Sequence, residues 1–421
     1  MTGSAEIICV GTELLLGDIL NSNAQYLAQQ LAQLGISHHY QTVVGDNPVR
    51  LARAIAIACE RARLIIFTGG LGPTPDDITT ATIADFFGVP LVENAAVLAD
   101  ITTKFAQRDR TMSPNNQKQA LLPQGADVLP NPQGTAPGIL WQPRPGLHIM
   151  TFPGVPRELH TMWQATAIDY IQSQGWHSGI IHSRTLKFWG TSESGLAAKV
   201  DRFLKLENPT VAPYASDGVI KLRISAKANT LAEAQQLIAP VAAEIKTIGG
   251  TDCFGEDDDT LGDAIGRLLL ARQATLAVAE SCTGGGLGAM ITAVAGSSTY
   301  FMGGIISYDN AVKERLLGVS PQTLATYGAV SAPVAEQMAT GALTQLGTDW
   351  GLSITGIAGP GGGSPEKPVG LVFIGVANRS EAWHIECRFG HRKSREWIRL
   401  MSRNTALDLL RRALLSEVKT V

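Results

Sequence analysis

The sequence predicts an α/β protein of three parts, and two observations carry that reading. Apolar, β-branched runs alternate with helical periodicity over residues 6–170 and again beyond residue 275, the pattern of strands joined by crossover helices. The chain has 421 residues, about three times the ~150 of a typical domain, so a single core is not expected. The parts are placed at residues 1–170, 171–256 and 257–421.

In the first part, Ile7 to Val10 reads as a strand, and Ala24, Leu27, Ala28, Leu31 and Leu34 then share one helix face that Gly35 ends. A strand near Gln41 to Val44 and a helix striped by Leu51, Ile55, Ala58 and Ala62 lead to the strongest strand, Leu64 to Thr68. Eight prolines between Pro123 and Pro156 argue against continuous helix or a central strand there, and for long ordered loops or hairpins.

The second part reads βαββαβ: strand Thr185 to Trp189, a helix from about Ser192, a hairpin (Val211 to Tyr214, Val219 to Ala226), a helix from about Leu231 and a short strand at Cys253. It offers no catalytic constellation and is expected to be a spacer or dimer element. The acidic run at 255–260 marks a boundary, with Thr260 capping a helix that carries Leu261, Ile265, Leu268 and Leu269. The third part continues with strand Thr275 to Ala279, a helix near Leu287 to Ala295, strand Ile305 to Tyr308 and helix Ala311 to Leu317. Helix Ala332 to Leu346 capped by Ser331, strands Gly351 to Thr355, Val369 to Ala377 and Ala382 to Phe389, and a last helix from about Lys393 complete an α/β sandwich.

Composition narrows the function classes. Hydrophobic residues are 45% and charged residues 17%, which supports burial. The charge is 34 − 37 = −3, so no global basic field favours nucleic acid. Five scattered cysteines without a CxxC pair fit a reducing compartment, and the N-terminal run, interrupted by Glu6, Glu13 and Asp18, does not read as a signal peptide. A cytoplasmic location is expected. Ser281 to Tyr308 carries no charge over 28 residues, yet half of these are Gly, Ser or Thr, so it reads as buried core with tight turns rather than a membrane span.

Four clusters of residues can carry chemistry. Strand TLAVA runs into ESCTGGG and a helix, delivering Ser281, Cys282 and Thr283 to a turn where the N–H groups of Gly284, Gly285 and Gly286 would meet a developing oxyanion. In YDNAVK, Tyr308 ends a strand and Lys313 enters a helix; a lysine base must be neutral, and burial and the helix dipole both favour that form. TGIAGPGGGSPEKPVG places six glycines between two strands, able to wrap a phosphate or sugar, and Arg392, Arg395 and Arg399 offer charge nearby. In the first part, FTGGLGPTPDDIT brings Asp76 and Asp77 to a helix start, while other loops supply Glu13, Asp18, Arg157 and Glu158. The eight histidines show no ligand spacing, so a metal here would be oxygen-bound.

Taken in order, GTELLLGDILNSN, FTGGLGPTPDD, FPGVPREL, AESCTGG, GAVS, TGIAGPGGG and KPVG resemble the CinA family, the competence/damage-inducible protein A group, over essentially the whole chain. The resemblance implies an N-terminal domain similar to molybdopterin-binding domains, a KH-like middle module and a C-terminal domain similar to nicotinamide mononucleotide amidohydrolases, in a homodimer. It further implies hydrolysis of the carboxamide of nicotinamide mononucleotide to nicotinic acid mononucleotide and ammonia, without a cofactor. Ser281 would be the nucleophile, Lys313 its base, Tyr308 a proton-network partner and Arg395 the helix-register arginine, with Arg392 as a substitute. Thr283, Gly284, Gly285, Gly286, Thr355, Gly356, Gly359 and Gly361 would line the substrate. Cys282 is the rival nucleophile.

For the N-terminal domain the resemblance implies, in some members, metal-dependent cleavage of ADP-ribose. Asp76, Asp77, Glu13 and Glu158 would surround a divalent cation, and Thr68, Gly69, Gly70, Gly72, Thr74 and Gly134 would cradle phosphate. The alternative expectation is a non-enzymatic pterin or nucleotide carrier, or a competence scaffold.

Overall fold

Residues whose side chains alternate in and out of a pleated strand bury both faces when helices cover both sides. The N-terminal sheet follows this rule. The computed structural model describes residues 4–176 and 179–416. Within them, six strands run in the order Ser37–Val44, Ser4–Val10, Leu64–Thr68, Leu147–Phe152, Gly138–Arg144 and Asp127–Leu129, the first four parallel and the last two antiparallel. Ile7, Cys9, Ile66 and Met150 pack on one side against Leu27, Leu31 and Trp163. Ile8, Val10, Ile65, Phe67 and Ile149 pack on the other against Leu51, Ile55 and Ile83.

One expectation is corrected here. The proline-rich stretch holds a central parallel strand, Leu147–Phe152, buried along its whole length. Its prolines fall at 145 and 153, outside the ladder, so no hydrogen bond is lost. Gly138–Arg144 pairs with it as a hairpin.

The middle segment forms a four-stranded sheet in the order Thr210–Ser216, Val219–Ala228, Ile180–Phe188, Cys253–Glu256, with helices Glu193–Lys199 and Leu231–Gly249. The chain divides into two compact units. One comprises the chain up to His182 with Ser225–Leu237; the other comprises Ser183–Ile224 and the chain from Ile238 onward.

The C-terminal sheet has the order Phe301–Ile306, Leu276–Glu280, Trp350–Gly356, Leu371–Ala377, Ala382–Arg388. Its first three strands are parallel and the last two antiparallel. Helix Leu261–Arg272 begins in a full capping box between Thr260 and Asp263, and with helix Arg395–Ser416 it covers one face. Helix Ala332–Leu346 covers the other. Three details differ from expectation. Ser331 precedes that helix but its hydroxyl donates to the Gly328 carbonyl rather than capping. A helix at Pro321–Tyr327 was not anticipated. The edge strand ends at Ile306, leaving Tyr308 beyond it and 64% exposed. No described helix is long and apolar enough to cross a membrane.

Candidate active sites

In each of the two larger sheets, consecutive connections leave a central strand toward opposite sides, opening a crevice at the carboxyl ends. In the C-terminal sheet that strand is Leu276–Glu280, and Ser281 is the first residue past it. Its N–H donates to the Ile354 carbonyl of the neighbouring strand at 3.0 Å, which fixes the turn against the sheet.

Lys313 lies in helix Asn310–Leu317, whose cap Asp309 accepts the Ala311 N–H at 2.8 Å. The lysine is 1% exposed and Ser281 9%. Lys313 Nζ donates to the Ser307 carbonyl at 2.7 Å and the Tyr308 carbonyl at 3.2 Å, and lies 3.4 Å from Ser281 Oγ. Burial pushes its pKa down from the ordinary lysine value, against an opposing pull from Asp309. A carbonyl only accepts, so a neutral amine satisfies both carbonyls with its two hydrogens and has its lone pair left for the serine hydroxyl. The rival thiol behaves differently: burial pushes Cys282 up to about 11, so it stays protonated near neutrality.

The oxyanion expectation needs correction in detail. The Gly284 and Gly286 N–H groups are spent on the Ser281 and Thr283 carbonyls. The start of helix Gly286–Thr292 is taken by the buried Glu280 carboxylate, which accepts from Leu287 N at 3.0 Å and Gly288 N at 2.8 Å. Thr283 and Gly285 keep backbone N–H groups that meet no acceptor among the described residues. The hydroxyls of Thr283 and Ser307 are likewise buried without a partner.

Tyr308 acts on Lys313 through its backbone carbonyl; its hydroxyl instead lies 3.4 Å from Arg395 Nη2. Arg395 also donates to the Gly359 carbonyl at 2.7 Å, tying the glycine-rich loop to the last helix. Arg392 is exposed and makes neither contact, so the arginine at this loop is Arg395. The Thr355 hydroxyl donates to the Ala329 carbonyl at 2.8 Å, and a Cβ added at Gly356 would lie 2.6 Å from the Val372 side chain. Gly361 has open space around it.

Sequence reasoning gave no role to Glu280 or Ser307. Neither carries a signal without the fold.

The N-terminal crevice is a cleft of about 470 Å³ lined by Glu13, Gly69, Gly70, Gly72, Asp76, Asp77 and Glu158 among others. Gly69 has a φ of 101°, and a Cβ there would meet the Val10 carbonyl at 2.1 Å, so only glycine fits this turn. Several expected ligands are already engaged. Thr68 is buried and donates to the Pro153 carbonyl at 3.1 Å; Thr74 donates to Asp77 Oδ2 from its hydroxyl at 2.5 Å and its N–H at 2.9 Å. Glu158 accepts from Asn131 Nδ2 at 2.7 Å, and the Gly134 N–H donates to Asn131 Oδ1 at 2.9 Å. The adjoining helix starts at Thr79, so both aspartates precede it. Among the described residues no three His, Cys, Asp or Glu side chains converge closely enough to hold a metal. Glu13, Asp76, Asp77 and Glu158 thus share a cleft but, as placed, do not fit the expected cation cage.

Comparison with known proteins agrees with this architecture. Family models described as "Probable molybdopterin binding domain", "Damage-inducible protein CinA KH domain" and "CinA C-terminal domain" match residues 6–173, 183–255 and 258–414. A CinA-like protein from Cyanothece sp. is 64% identical over 99% of this chain and 100% of its own length. The chain belongs to the CinA family. A second CinA-like protein, from Nostoc punctiforme, is 64% identical over 98% of this chain and all of that one. Among solved structures, the competence/damage inducible protein CihA from Agrobacterium tumefaciens is 43% identical, covering 37% of this CinA chain and 93% of that chain, with a TM-score of 0.36.

Proposed function

We propose that this CinA-family protein is a pyridine-nucleotide hydrolase whose C-terminal domain converts nicotinamide mononucleotide and water to nicotinic acid mononucleotide and ammonia. The observation that carries the reading is the buried Lys313 amine 3.4 Å from Ser281 Oγ, with its other polar contacts both to carbonyls. Lys313 takes the serine proton as Oγ bonds to the carboxamide carbon; the collapsing adduct expels ammonia, which receives that proton. Water then attacks the acyl-serine, giving a proton to the Lys313 amine, which passes it to Ser281 Oγ as the acyl–Oγ bond breaks and the acid leaves. Thr283 and Gly285, whose N–H groups meet no acceptor among the described residues, offer donors in the same turn for the charged adduct. Arg395 holds the glycine loop over the site. Ammonia release from nicotinamide mononucleotide tests this: Ser281→Ala should lose at least about 10³-fold in rate. A Ser281→Ala protein with near-full rate would exclude the mechanism, and Cys282→Ala should keep most of the activity.

For the N-terminal cleft we propose a second activity in the same protein, cleavage of the ADP-ribose pyrophosphate bond, supported by a glycine turn at Gly69 and Gly70 that lets the backbone line the cleft closely. The carboxylates as placed do not hold a cation, so no step is assigned to a metal; ADP-ribose left uncleaved by the purified protein would overturn the reading. A homodimer in the cytoplasm completes the proposal.

A further inference from the structure

Water that cleaves a pyrophosphate must lose a proton as its oxygen bonds to phosphorus, so the N-terminal cleft needs a proton acceptor held at a fixed place. The carboxylates that line this cleft are held very differently. Glu13 and Asp76 are exposed, and Asp77 accepts only from Thr74, an exposed residue of its own turn. Glu158 is tied to the interior. Its Oε2 accepts at 2.7 Å from Nδ2 of Asn131, a residue that is 3% exposed, while its Oε1 accepts from no donor among the described residues and is left for the cleft.

Asn131 cannot turn its amide over. Its Oδ1 accepts the N–H groups of Gln133 at 3.1 Å and Gly134 at 2.9 Å, and its second Nδ2 hydrogen goes to the Ala136 carbonyl at 2.8 Å. A backbone N–H only donates and a carbonyl only accepts, so a flipped amide would lose these bonds together. Lys104 Nζ grips the Asn131 backbone carbonyl in turn at 2.7 Å. A buried side chain thus spends its whole bonding capacity on one loop and one carboxylate.

A second, independent observation is steric. A Cβ added at Gly134 would lie 2.1 Å from Glu158 Oε2 and 2.6 Å from Oε1. Gly134 has no positive φ, so its backbone does not require glycine, and the missing side chain leaves room for the carboxylate.

We propose that Asn131 and Gly134 are positioning residues for ADP-ribose cleavage, fixing Glu158 as the base that takes the proton of the attacking water. The proposal rests on the ADP-ribose reading of the cleft. In the step, the water oxygen bonds to one phosphorus and its proton passes to Glu158 Oε1. The bond from that phosphorus to the bridging oxygen breaks, its electron pair leaving on the other phosphate. Adenosine monophosphate and ribose 5-phosphate result, and Glu158 returns its proton to solvent.

The test follows ADP-ribose cleavage by the purified full chain, by Glu158→Gln, Asn131→Ala and Gly134→Ala, and by each of the last two combined with Glu158→Gln. Glu158→Gln keeps an oxygen for Asn131 and should lower kcat by roughly 10²- to 10⁴-fold, the usual contribution of a positioned base. Asn131→Ala and Gly134→Ala should each lower kcat by roughly 10- to 100-fold with KM little changed, the scale of a ~1 Å misplacement. Neither should slow Glu158→Gln further, since the group they position is no longer a base. Should Asn131→Ala fail to fold, Gly134→Ala decides alone, because the atoms nearest the added methyl belong to the end of a flexible side chain.

An unchanged kcat in Gly134→Ala, or losses that multiply with that of Glu158→Gln, would overturn the positioning. A raised KM at constant kcat would overturn it too, because mere support of the loop gives that result. The two ideas fail differently: an unmodified chain that leaves ADP-ribose whole sinks the reading of the cleft, whereas an active chain with an equally fast Gly134→Ala variant sinks the positioning alone.

Discussion

Lys313 must lose a proton before it can accept one from Ser281. A free lysine releases its proton near pH ~10.4, and burial moves that value down here. Amide hydrolysis should therefore rise with pH and level off once the lowered Lys313 value is passed, below that of free lysine. Lys313→Arg should stay near background at every pH, because a guanidinium is not deprotonated in this range. Ammonia release across a pH series checks both; a flat profile together with an active arginine variant would contradict the assignment. The same shift has a stability consequence. The folded amine binds its proton less tightly than the unfolded one, so between the two pKa values the unfolded state carries more protons and stability rises with pH. Lys313→Met should abolish that slope in urea titrations taken through the window.

Local structure around the nucleophile depends on a buried acid that closes a helix. Glu280 ends a strand and caps helix Gly286–Thr292 with two charge-assisted bonds, so the turn between them is pinned at both ends. Glu280→Ala should cost about 3 kcal/mol in denaturant unfolding, since buried donors are left unpaired. A loss below about 0.5 kcal/mol, the scale of an ordinary surface change, would show that the turn does not rely on it. That role was not legible in AESCTGG, because a glutamate at a strand end looks the same whether it faces water or a helix start. The strand Leu147–Phe152 was hidden for another reason: prolines at its borders were weighed as if they lay inside it. By contrast, Ser281 and Lys313 were legible as a strand-end hydroxyl and a lysine in a charge-poor stretch. Spacing does not say which way a side chain is already engaged, so neither the Thr355 bond to Ala329 nor the exposure of Arg392 was legible beforehand.

At the scale of the whole molecule, each crevice draws its residues from one compact unit. Glu13, Gly69, Asp77 and Glu158 belong to the first, and Ser281, Lys313 and Arg395 to the second. Ser281→Ala should thus remove amide hydrolysis and spare ADP-ribose cleavage, while Asp77→Asn should do the reverse. A substrate screen on both variants checks this, and loss of both activities in either one would argue against separate sites. Length pointed to two or three domains; the family models fall on three successive segments, while the structure divides into two compact units.

The claim on which the rest turns is that Ser281 and Lys313 work as one catalytic unit. The direct measurement is a double-mutant cycle on ammonia release, using Ser281→Ala, Lys313→Met and the protein carrying both. Residues that act together give non-additive losses, so the double variant should be no slower than the slower single variant. Losses that multiply would show two groups contributing separately, and the paired mechanism would be wrong.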